Sequence, residues 1–227
     1  MDVSILTACL GDYRPIVKAI KSYKTKYSYE IHVSGEKLYD EVKDDINFLP
    51  DPGTSVKAYN QMFKKSKGKY IFCFAGTIIP PSNMFDMIEE LKRQEMRGNQ
   101  LIVSSMTDDV GGICLIPPWA SELANLKERP QILRWPCFSR KTLTDHFNGV
   151  IFNEHFKHHW VDNWLPTYCK LFGEEKRQVQ HVRIKTIPHV SVRDHDDHDL
   201  KVYQQLIKQY KNNKSYNFNP LENIDED

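Results

Sequence analysis

The sequence lacks long apolar runs, paired CxxC cysteines and an excess of charge of either sign. No stretch approaches the roughly 20 apolar residues that a membrane-crossing helix needs, so no spanning segment is predicted. No basic segment precedes the apolar run that begins at Val3, so no signal peptide is predicted either. The five cysteines are odd in number and widely spaced, which indicates reduced, core-filling thiols of a cytoplasmic protein.

Charge and composition argue against two further classes of protein, a nucleic-acid-binding protein and a disordered one. The 31 basic and 30 acidic residues nearly cancel to a net charge of +1, so binding to nucleic acid through a bulk electrostatic field is not favoured. Of the 227 residues, 40% are hydrophobic, which excludes disorder for most of the chain. Neither an internal repeat nor a low-complexity block is present. The composition therefore indicates an ordinary globular chain.

Strand-like and helix-like segments alternate through the first half. The four strand-like segments are residues 3–7, 29–33, 70–74 and 101–104. They are joined by crossovers of roughly 20 to 30 residues, which are long enough for helices, so they predict a parallel sheet covered by helices. Ligands of such sheets bind beyond the carboxyl ends of the strands. Residues 7–12, 34–36 and 75–77 are therefore expected around one crevice.

The second half has weaker periodicity. Residues 105–130 are expected to form a long excursion over the sheet. A helix is predicted to begin near Asp162, with Pro166 tolerated because it lies close to the first turn. Residues 179–187 read as a strand and residues 200–210 as a last amphipathic helix. The polar residues 213–227 are expected to form a flexible C-terminal tail.

Several motifs occur in a fixed order along the chain. They are VSILTAC at residues 3–9, GTSVKAYN at 53–60 followed by GKYIF at 68–72, IIPP at 78–81, and CFSRKTL with NGVIFNE between 137 and 154. Together they resemble family 2 glycosyltransferases of the GT-A fold. The helix that starts at Trp160-Val161-Asp162-Asn163 falls where that family keeps its Glu-Asp pair.

The resemblance implies one α/β GT-A domain over residues 1–212, a Rossmann-like, mostly parallel sheet flanked by helices. Residues 1–104 would be the nucleotide-binding half and residues 105–212 an irregular acceptor-side half. The implied activity is transfer of a sugar from a nucleotide-sugar donor to a hydroxyl acceptor, with inversion. The acceptor stays open between a glycan, a protein and a modified nucleic-acid base, while the lack of an amphipathic basic helix disfavours a lipid.

The resemblance also implies donor-binding residues. Thr7, Ala8 and Cys9 would contact the nucleotide through their backbone, and Glu36 would contact the base or ribose. The alternative for Glu36 is a solvated carboxylate in a turn. Asn60 would contact the nucleotide, or its side chain would bond to nearby backbone instead.

One departure from the family pattern concerns the diphosphate. Ala75-Gly76-Thr77 stands where the family has Asp-x-Asp, so no carboxylate remains there for Mg²⁺ or Mn²⁺. The charge of the diphosphate could be met by helix N-termini, by Lys57, by Arg140, or by a metal held elsewhere. For Arg140 the alternative is a solvated surface side chain.

Four residues are candidate metal ligands: Asp108, His189, His195 and His198. His189 follows a strand and a proline, as does a histidine of many family members that reaches towards the diphosphate or its metal. Mn²⁺, Mg²⁺ and metal-independent transfer all stay open. A metal-dependent hydrolase that uses His189 and the run of residues 194–199 is an alternative function.

Asp162 matches the carboxylate that the family uses as the general base, although its neighbour Val161 replaces the usual acidic residue. Asp162 also suits the N-cap of a helix, and the two roles are compatible. Because half of the acidic pair and the Asp-x-Asp are missing, a nucleotide-sugar-binding protein without transfer activity is a second alternative. An aromatic stretch near this position could form a stacking wall for a sugar or a base, or simply fill the core; it comprises Phe152, Phe156, Trp160 and Trp164.

Overall fold

Short apolar strands and amphipathic helices alternate along the chain and build a mixed α/β layer with helices on both faces of one sheet. This architecture is seen in a computed structural model that describes residues 1–76, 78–98, 103–108, 115–130, 132–171, 176–186 and 196–213. The fold class that the sequence predicts is therefore confirmed.

The strands form one eight-stranded sheet within the described residues, in the order β3-β2-β1-β4-β7-β6-β8-β5. Neighbouring strands from β3 to β4 are parallel, β7 is antiparallel to both of its neighbours, and β6 and β8 are parallel. Strand β5 pairs with β8 in antiparallel fashion. The strands are β1 (Val3–Ala8), β2 (Tyr29–Gly35), β3 (Asn47–Pro50), β4 (Tyr70–Ala75), β5 (Ile78–Ile79), β6 (Val103–Asp108), β7 (Pro136–Ser139) and β8 (Lys176–Thr186).

The helices follow the strands in sequence and cover the sheet. They are α1 (Arg14–Ser22), α2 (Ser55–Lys65), α3 (Asp86–Met96), α4 (Pro118–Leu123), α5 (Arg140–His146), α6 (Val161–Leu171) and α7 (Asp196–Asn213), with a short 3-10 helix at Asp40–Asp45. In the described part of the chain, none of these helices has the length and apolar character that crossing a bilayer requires.

Each face of the sheet carries its own hydrophobic core because side chains alternate along a strand. On β4, Ile71 and Cys73 face a core that includes α2, α5, α6 and α7. Tyr70, Phe72 and Phe74 face the other core, which includes α1 and α3. Strand β4 is thus covered on both sides, as its continuous apolar sequence indicates.

The chain has more regular structure than its sequence indicates. In the first half the short strands β3 and β5 were not predicted, and in the second half β7, α4 and α5 were not predicted; α4 lies inside the expected excursion of residues 105–130. The fourth predicted strand starts at residue 101, but residues 101–102 lie outside the described residues and β6 begins at Val103. Helix α7 extends to Asn213, the first residue of the predicted tail, and residues 214–227 lie outside the described residues.

Pro166 lies inside α6, five residues after its first residue Val161, and so beyond the first turn where it was expected. A proline has no N–H, so Pro166 cannot donate to the carbonyl of Asp162 four residues earlier. The N–H of Leu133 donates to that carbonyl instead, with an N···O distance of 3.4 Å. Pro166 therefore makes the Asp162 carbonyl available to the chain segment that precedes β7.

Candidate functional site

The carboxyl ends of β1, β2 and β4 meet along one line, which we call the carboxyl edge of the sheet. Ala8 at the end of β1 pairs with Ser34 of β2 and with Ala75 of β4. The N–H of Cys9 donates to the Ser34 carbonyl, and the N–H of Gly76 donates to the Ala8 carbonyl, both at 2.9 Å. Sheets of this kind bind ligands beyond such an edge.

Four of the predicted donor-binding residues come together at the carboxyl edge. The side chain of Thr7 is buried, and its hydroxyl has no hydrogen-bond partner among the described residues. The thiol of Cys9 lies 3.5 Å from the Gly76 carbonyl, and burial raises the pKa of this thiol. Ala8 ends β1 between them, and Glu36 is the first residue after β2, where it is exposed to solvent.

Gly76 packs against Cys9 so closely that a side chain does not fit there. A Cβ on Gly76 would lie 2.2 Å from both the Cβ and the Sγ of Cys9 and 2.7 Å from its Cα. Ala75 and Gly76 hold the first two positions of the expected metal motif, and Thr77 lies outside the described residues. Neither of the two described positions supplies an oxygen ligand from a side chain.

Helix α2 begins beside the acceptor-side half of the chain. The hydroxyl of its N-cap residue Thr54 accepts the N–H of Lys57 at 3.3 Å, and the Lys57 side chain is exposed. The hydroxyl of Ser55 lies 2.8 Å from Nδ1 of His158, and the N–H of Val56 donates to the carbonyl of Lys157 at 3.4 Å. The N-terminus of α2 therefore contacts the loop of residues 157–159.

The buried carboxylate of Asp199 holds the same loop from the other side. Its two oxygens accept the backbone N–H groups of Lys157 at 2.9 Å and of His158 and His159 at 2.7 Å. Asp199 is in the first turn of α7 and its side chain is fully buried. The loop that leads into α6 is thus fixed between two helix N-termini.

Asp162 lies in the first turn of α6, and 37% of its side-chain surface is exposed to solvent. Its Oδ1 accepts the side-chain N–H of Asn163 at 3.1 Å, and its Oδ2 lies 3.9 Å from Nε of Arg134. Burial raises the pKa of Asp162, while the nearby Arg134 and hydrogen bonds lower it in part. The carboxylate of Asp162 is therefore partly accessible to solvent, and a general base has to reach the proton of its substrate.

The register of β7 shows that Asp162 lies at the carboxyl edge. Strand β7 runs antiparallel to β4, with Ser139 opposite Tyr70 and Cys137 opposite Phe72. Residues that precede β7 therefore continue towards the end of β4. Because Leu133, three residues before β7, bonds to the carbonyl of Asp162, the first turn of α6 lies towards the same ends of the strands as Cys9 and Glu36.

Arg140 lies at the opposite edge. It follows Ser139, which pairs with the first residue of β4. Its Nε donates to the carbonyl of Gly68 at 2.7 Å, its Nη2 donates to the hydroxyl of Ser66 at 2.8 Å, and its guanidinium lies over the ring of Phe63. Since β4 has six residues, its length separates Arg140 from the carboxyl edge, so the structure does not bring Arg140 to the other predicted site residues.

Asn60 is buried on α2 and joins that helix to residues 151–154. Its Oδ1 accepts the backbone N–H groups of Ile151 at 2.9 Å and Phe152 at 3.1 Å. Its Nδ2 donates to the Phe152 carbonyl at 2.9 Å and towards Glu154 at 3.4 Å. All four hydrogen-bonding positions of the Asn60 amide are used inside the protein. Contact with a nucleotide stays a prediction, and it would require one of these hydrogen bonds to break.

The predicted metal ligands are only partly described. His189 and His195 lie outside the described residues, and Asp108 ends β6 without a described side chain. His198 lies next to Asp199, with Nδ1 2.8 Å from Oδ1. Among the residues that the structure describes, no group of three or more histidine, cysteine, aspartate or glutamate side chains is placed to hold a metal ion.

Three residues of the site were missed by sequence reasoning. Arg134 stands 28 positions before the carboxylate it faces, and no local pattern links the two. Trp119 lies on α4, and its ring contacts the rings of Trp160 and Tyr203. Asp199 was expected to support the start of its own helix or, in the hydrolase alternative, to belong to a metal-binding run; its contact with the loop of residues 157–159 was missed, and its sequence signal was the density of acidic residues around it.

The fold is that of the GT-A glycosyltransferases, whose solved structures are similar to it over nearly its whole length. Sequence comparison adds nothing to this, because no protein-family model and no curated protein matches the chain.

Two glycosyltransferases illustrate the similarity. The structure of S. aureus TarS residues 1-349 in complex with UDP-GlcNAc is 12% identical, with a TM-score of 0.59, and the match covers 98% of this chain and 68% of that one. The chain covers 41% of the longer TarS structure. Glucosyl-3-phosphoglycerate synthase from Mycobacterium tuberculosis, in complex with Mn²⁺, UDP and phosphoglyceric acid, is 14% identical, with a TM-score of 0.55 and coverage of 91% and 76%. At these identities the likeness shows the fold.

Proposed function

We propose that the protein is a glycosyltransferase that moves a sugar from a nucleotide-sugar donor to a hydroxyl acceptor, with inversion at the anomeric carbon. The observation that carries this proposal is the position of Asp162, a solvent-accessible carboxylate at the carboxyl edge of a GT-A sheet. Glu36 is exposed at the same edge. The site thus has acidic groups on both the donor side and the acceptor side.

The two halves of the chain divide the work in this proposal. Residues 1–104 supply β1, β2 and β4, whose carboxyl ends would hold the nucleotide. Residues 105–212 supply Asp162 and Arg134 for the acceptor side. Support for a single unit comes from β4 and β7, which belong to different halves and pair directly.

A uridine diphosphate sugar is the donor class that the structural neighbours favour. TarS was solved with UDP-GlcNAc and the mycobacterial synthase with UDP. In this chain, Glu36 would bind the base or ribose, and the chain at Thr7, Ala8 and Cys9 would line the nucleotide. Both predictions agree with the placement of these residues at the carboxyl edge.

The described residues do not fit the divalent metal that the fold family implies. Ala75 and Gly76 carry no ligand, and the packing of Cys9 leaves no room for a side chain at Gly76. We therefore assign the charge of the diphosphate to Lys57, whose side chain is exposed at the start of α2, and to the positive end of the dipole of that helix. The backbone N–H groups of Val56 and Lys57 already donate to Lys157 and Thr54, so they do not contribute to this assignment. His189 and His195 stay predicted ligands.

Asp162 acts as the general base in the proposed reaction. Its ionised carboxylate takes the proton of the acceptor hydroxyl, the acceptor oxygen attacks the anomeric carbon, and the bond from that carbon to the diphosphate breaks. The electron pair leaves with the nucleoside diphosphate. A well-placed general base contributes about 10²–10⁴-fold to the rate.

The test replaces Asp162 with Asn and measures transfer from UDP-GlcNAc to a mixed pool of saccharides and peptides, with and without Mn²⁺. We expect kcat to fall by about 10²–10⁴-fold while the Kd for the donor is unchanged. Asp145→Asn is the matched control, because Asp145 is an exposed aspartate paired with Lys141 on α5. Transfer by Asp162→Asn at the wild-type rate would contradict the assignment.

A nucleotide-sugar-binding protein without transfer activity is the second candidate. The absence of a side-chain ligand at Ala75 and Gly76 favours it, together with Val161 beside Asp162. Calorimetry separates the two functions: donor binding without any product or donor hydrolysis supports the second candidate. The third alternative was a metal-dependent hydrolase that uses residues 194–199. Asp199 does not support it, because the carboxylate of Asp199 already accepts three backbone N–H groups.

A further inference from the structure

The aromatic stretch before α6 is divided between the core and the surface. Phe152, Phe156 and Trp164 are buried in the core on the α2 side of the sheet. Trp160 is only partly buried, and its ring contacts that of Trp119 on α4, with 5.4 Å between centroids. Trp119 exposes 38% of its surface, which makes it one of the few large apolar side chains exposed in the described residues. We call Trp119 and Trp160 the tryptophan pair.

The tryptophan pair rests on a rigid base. Both indoles contact the ring of Tyr203, with centroids 6.0 Å away for Trp119 and 5.4 Å for Trp160. Tyr203 is fully buried, and its hydroxyl forms a 2.7 Å hydrogen bond with Thr167 on α6. The pair therefore has a firm support beneath it and solvent on the other side.

Trp160 is held in one orientation at both ends. Its backbone has a φ of +59°, in the left-handed region that bulky residues rarely adopt. Its indole Nε1–H donates to Oδ1 of Asp196 at 2.7 Å. The preceding loop is fixed by Asp199, so the surroundings maintain a backbone conformation that is otherwise unfavourable. Strain of this kind clusters at ligand sites.

We propose that the tryptophan pair is a stacking platform for a pyranose ring of the acceptor, which makes the acceptor of the proposed transferase an uncharged carbohydrate. The apolar C–H face of a pyranose buries well against exposed indole rings. Its hydroxyls need hydrogen-bond acceptors, and Asp196 lies at the edge of Trp160. Trp160 precedes the base Asp162 by two residues, so their Cα atoms lie within about 7.6 Å of each other.

Charge favours a neutral sugar over a polyanion at this place. Asp196 and Asp197 are exposed in the first turn of α7, and Asp162 is beyond Trp160, with Arg134 as its nearby cation. Negative phosphates would be repelled by the two exposed carboxylates of α7. A nucleobase would also stack on indoles, and the experiment below distinguishes the two ligands.

The experiment measures binding of β-linked glucose and N-acetylglucosamine hexasaccharides to the full chain without any nucleotide, by calorimetry and by NMR of the indole N–H signals. We expect the Trp119 and Trp160 signals to shift and Trp119→Ala to weaken binding at least tenfold, with partial recovery in Trp119→Phe. Met96→Ala is the matched control, because Met96 is exposed and apolar but lies at the end of α3. Thermal unfolding establishes that each variant is folded.

The platform rests on the proposed function, yet its failure is distinguishable from failure of that function. Equal saccharide binding by Trp119→Ala and wild type, no binding by folded wild type, or shifts caused by uridine and not by saccharides would each overturn the platform. None of these results would contradict donor binding or the outcome of the Asp162→Asn assay, because saccharide binding is measured without any nucleotide. In transfer assays Trp119→Ala should raise the acceptor KM at least tenfold and leave the donor KM unchanged, whereas Asp162→Asn lowers kcat.

Discussion

At the scale of single residues, Gly76 and Cys9 determine what the carboxyl edge can hold. The chain turns after β4 with Gly76 in contact with the Cys9 side chain, so the position admits hydrogen but not a methyl group. The residue types at this edge are therefore fixed by packing between β1 and β4. The resemblance to family 2 glycosyltransferases leads us to expect carboxylates at positions 75 and 77, and the contact with Cys9 explains why position 76 is glycine.

Gly76→Ala should destabilise the protein by about 1–3 kcal/mol, because the new Cβ would overlap both the side chain and the Cα of Cys9. Urea unfolding followed by circular dichroism measures the change. Gly11→Ala is the control: a Cβ at Gly11 meets nothing within 4 Å, so we expect a change within about 0.5 kcal/mol. Equal stability of the two variants would show that the contact with Cys9 is absent in solution.

The pH dependence of transfer should report the surroundings of Asp162. Burial raises its pKa, so the acid limb of the rate profile should lie above the usual range of an aspartate. The positive charge of Arg134 favours the ionised form, so Arg134→Gln should move this limb to still higher pH. Profiles of kcat/KM for both proteins measure the shift, with Lys141→Gln as a control on distant α5. A limb that stays in place or moves to lower pH would contradict Asp162 as the base.

Ionisation of Asp162 also affects stability, with a defined sign. Because the folded pKa is raised, the folded state binds more protons than the unfolded state, and stability falls as pH rises from the unfolded pKa through the folded one. Asp162→Asn lacks this ionisation. The variant is therefore expected to remain folded at neutral pH, so that its loss of activity is chemical.

At the scale of elements, the first turn of α7 organises the approach to α6. Asp199 accepts three backbone N–H groups from the loop of residues 157–159, and the same loop contacts the start of α2. The position of Asp162 on α6 thus depends on two further helices, α2 and α7, that are distant from it in sequence. The density of acidic residues near Asp199 predicted a helix start, but the partner loop lies about 40 positions earlier and leaves no local sequence signal.

Asp199→Asn should lower the free energy of unfolding by about 2–4 kcal/mol, because the amide places an NH₂ group against buried N–H donors that need acceptors. Thermal and urea unfolding measure this loss. Asp197→Asn is the matched control, since Asp197 is exposed in the same helical turn and should change stability by less than about 1 kcal/mol. If both variants have wild-type stability, the loop is not held by Asp199.

Sequence periodicity predicted β1, β2 and β4 of the first half because each of these strands is apolar and is followed or preceded by an amphipathic helix, whereas the short strands β3 and β5 were missed. Strand β7 was missed, since its four residues, Pro136-Cys137-Phe138-Ser139, are too few to show a period. Its antiparallel pairing to β4 is a long-range choice that also places Arg140 at the opposite edge. Motif order therefore predicted the donor-side strand ends and Asp162, but it misplaced Arg140 and gave no indication of Arg134.

At the scale of the whole molecule, the two halves share one sheet. Strand β4 of the first half pairs with β7 of the second and contributes side chains to both cores. If either core unfolded, the face of β4 that packs in that core would be exposed to solvent. This connectivity indicates a single cooperative unit across residues 1–212, which stays a proposal.

Thiol labelling in urea, followed by mass spectrometry of each peptide, tests this unit. Cys9 and Cys73 report on the first half, Cys137 and Cys169 on the second, and all four are buried. We expect the four to lose protection at the same urea concentration, together with the change in tryptophan fluorescence. Because all four tryptophans lie in the second half, an earlier loss of protection at Cys9 and Cys73 would show that the halves unfold separately.

Pro166 has a consequence for how the acceptor side is assembled. Because Pro166 has no amide hydrogen to donate within α6, the carbonyl of Asp162, the proposed base, bonds instead to the segment that also carries Arg134. This bond joins Asp162 to the neighbour of the cation that lowers its pKa. We therefore expect a displacement of that segment to move Asp162 and Arg134 together, so that the carboxylate keeps its cation.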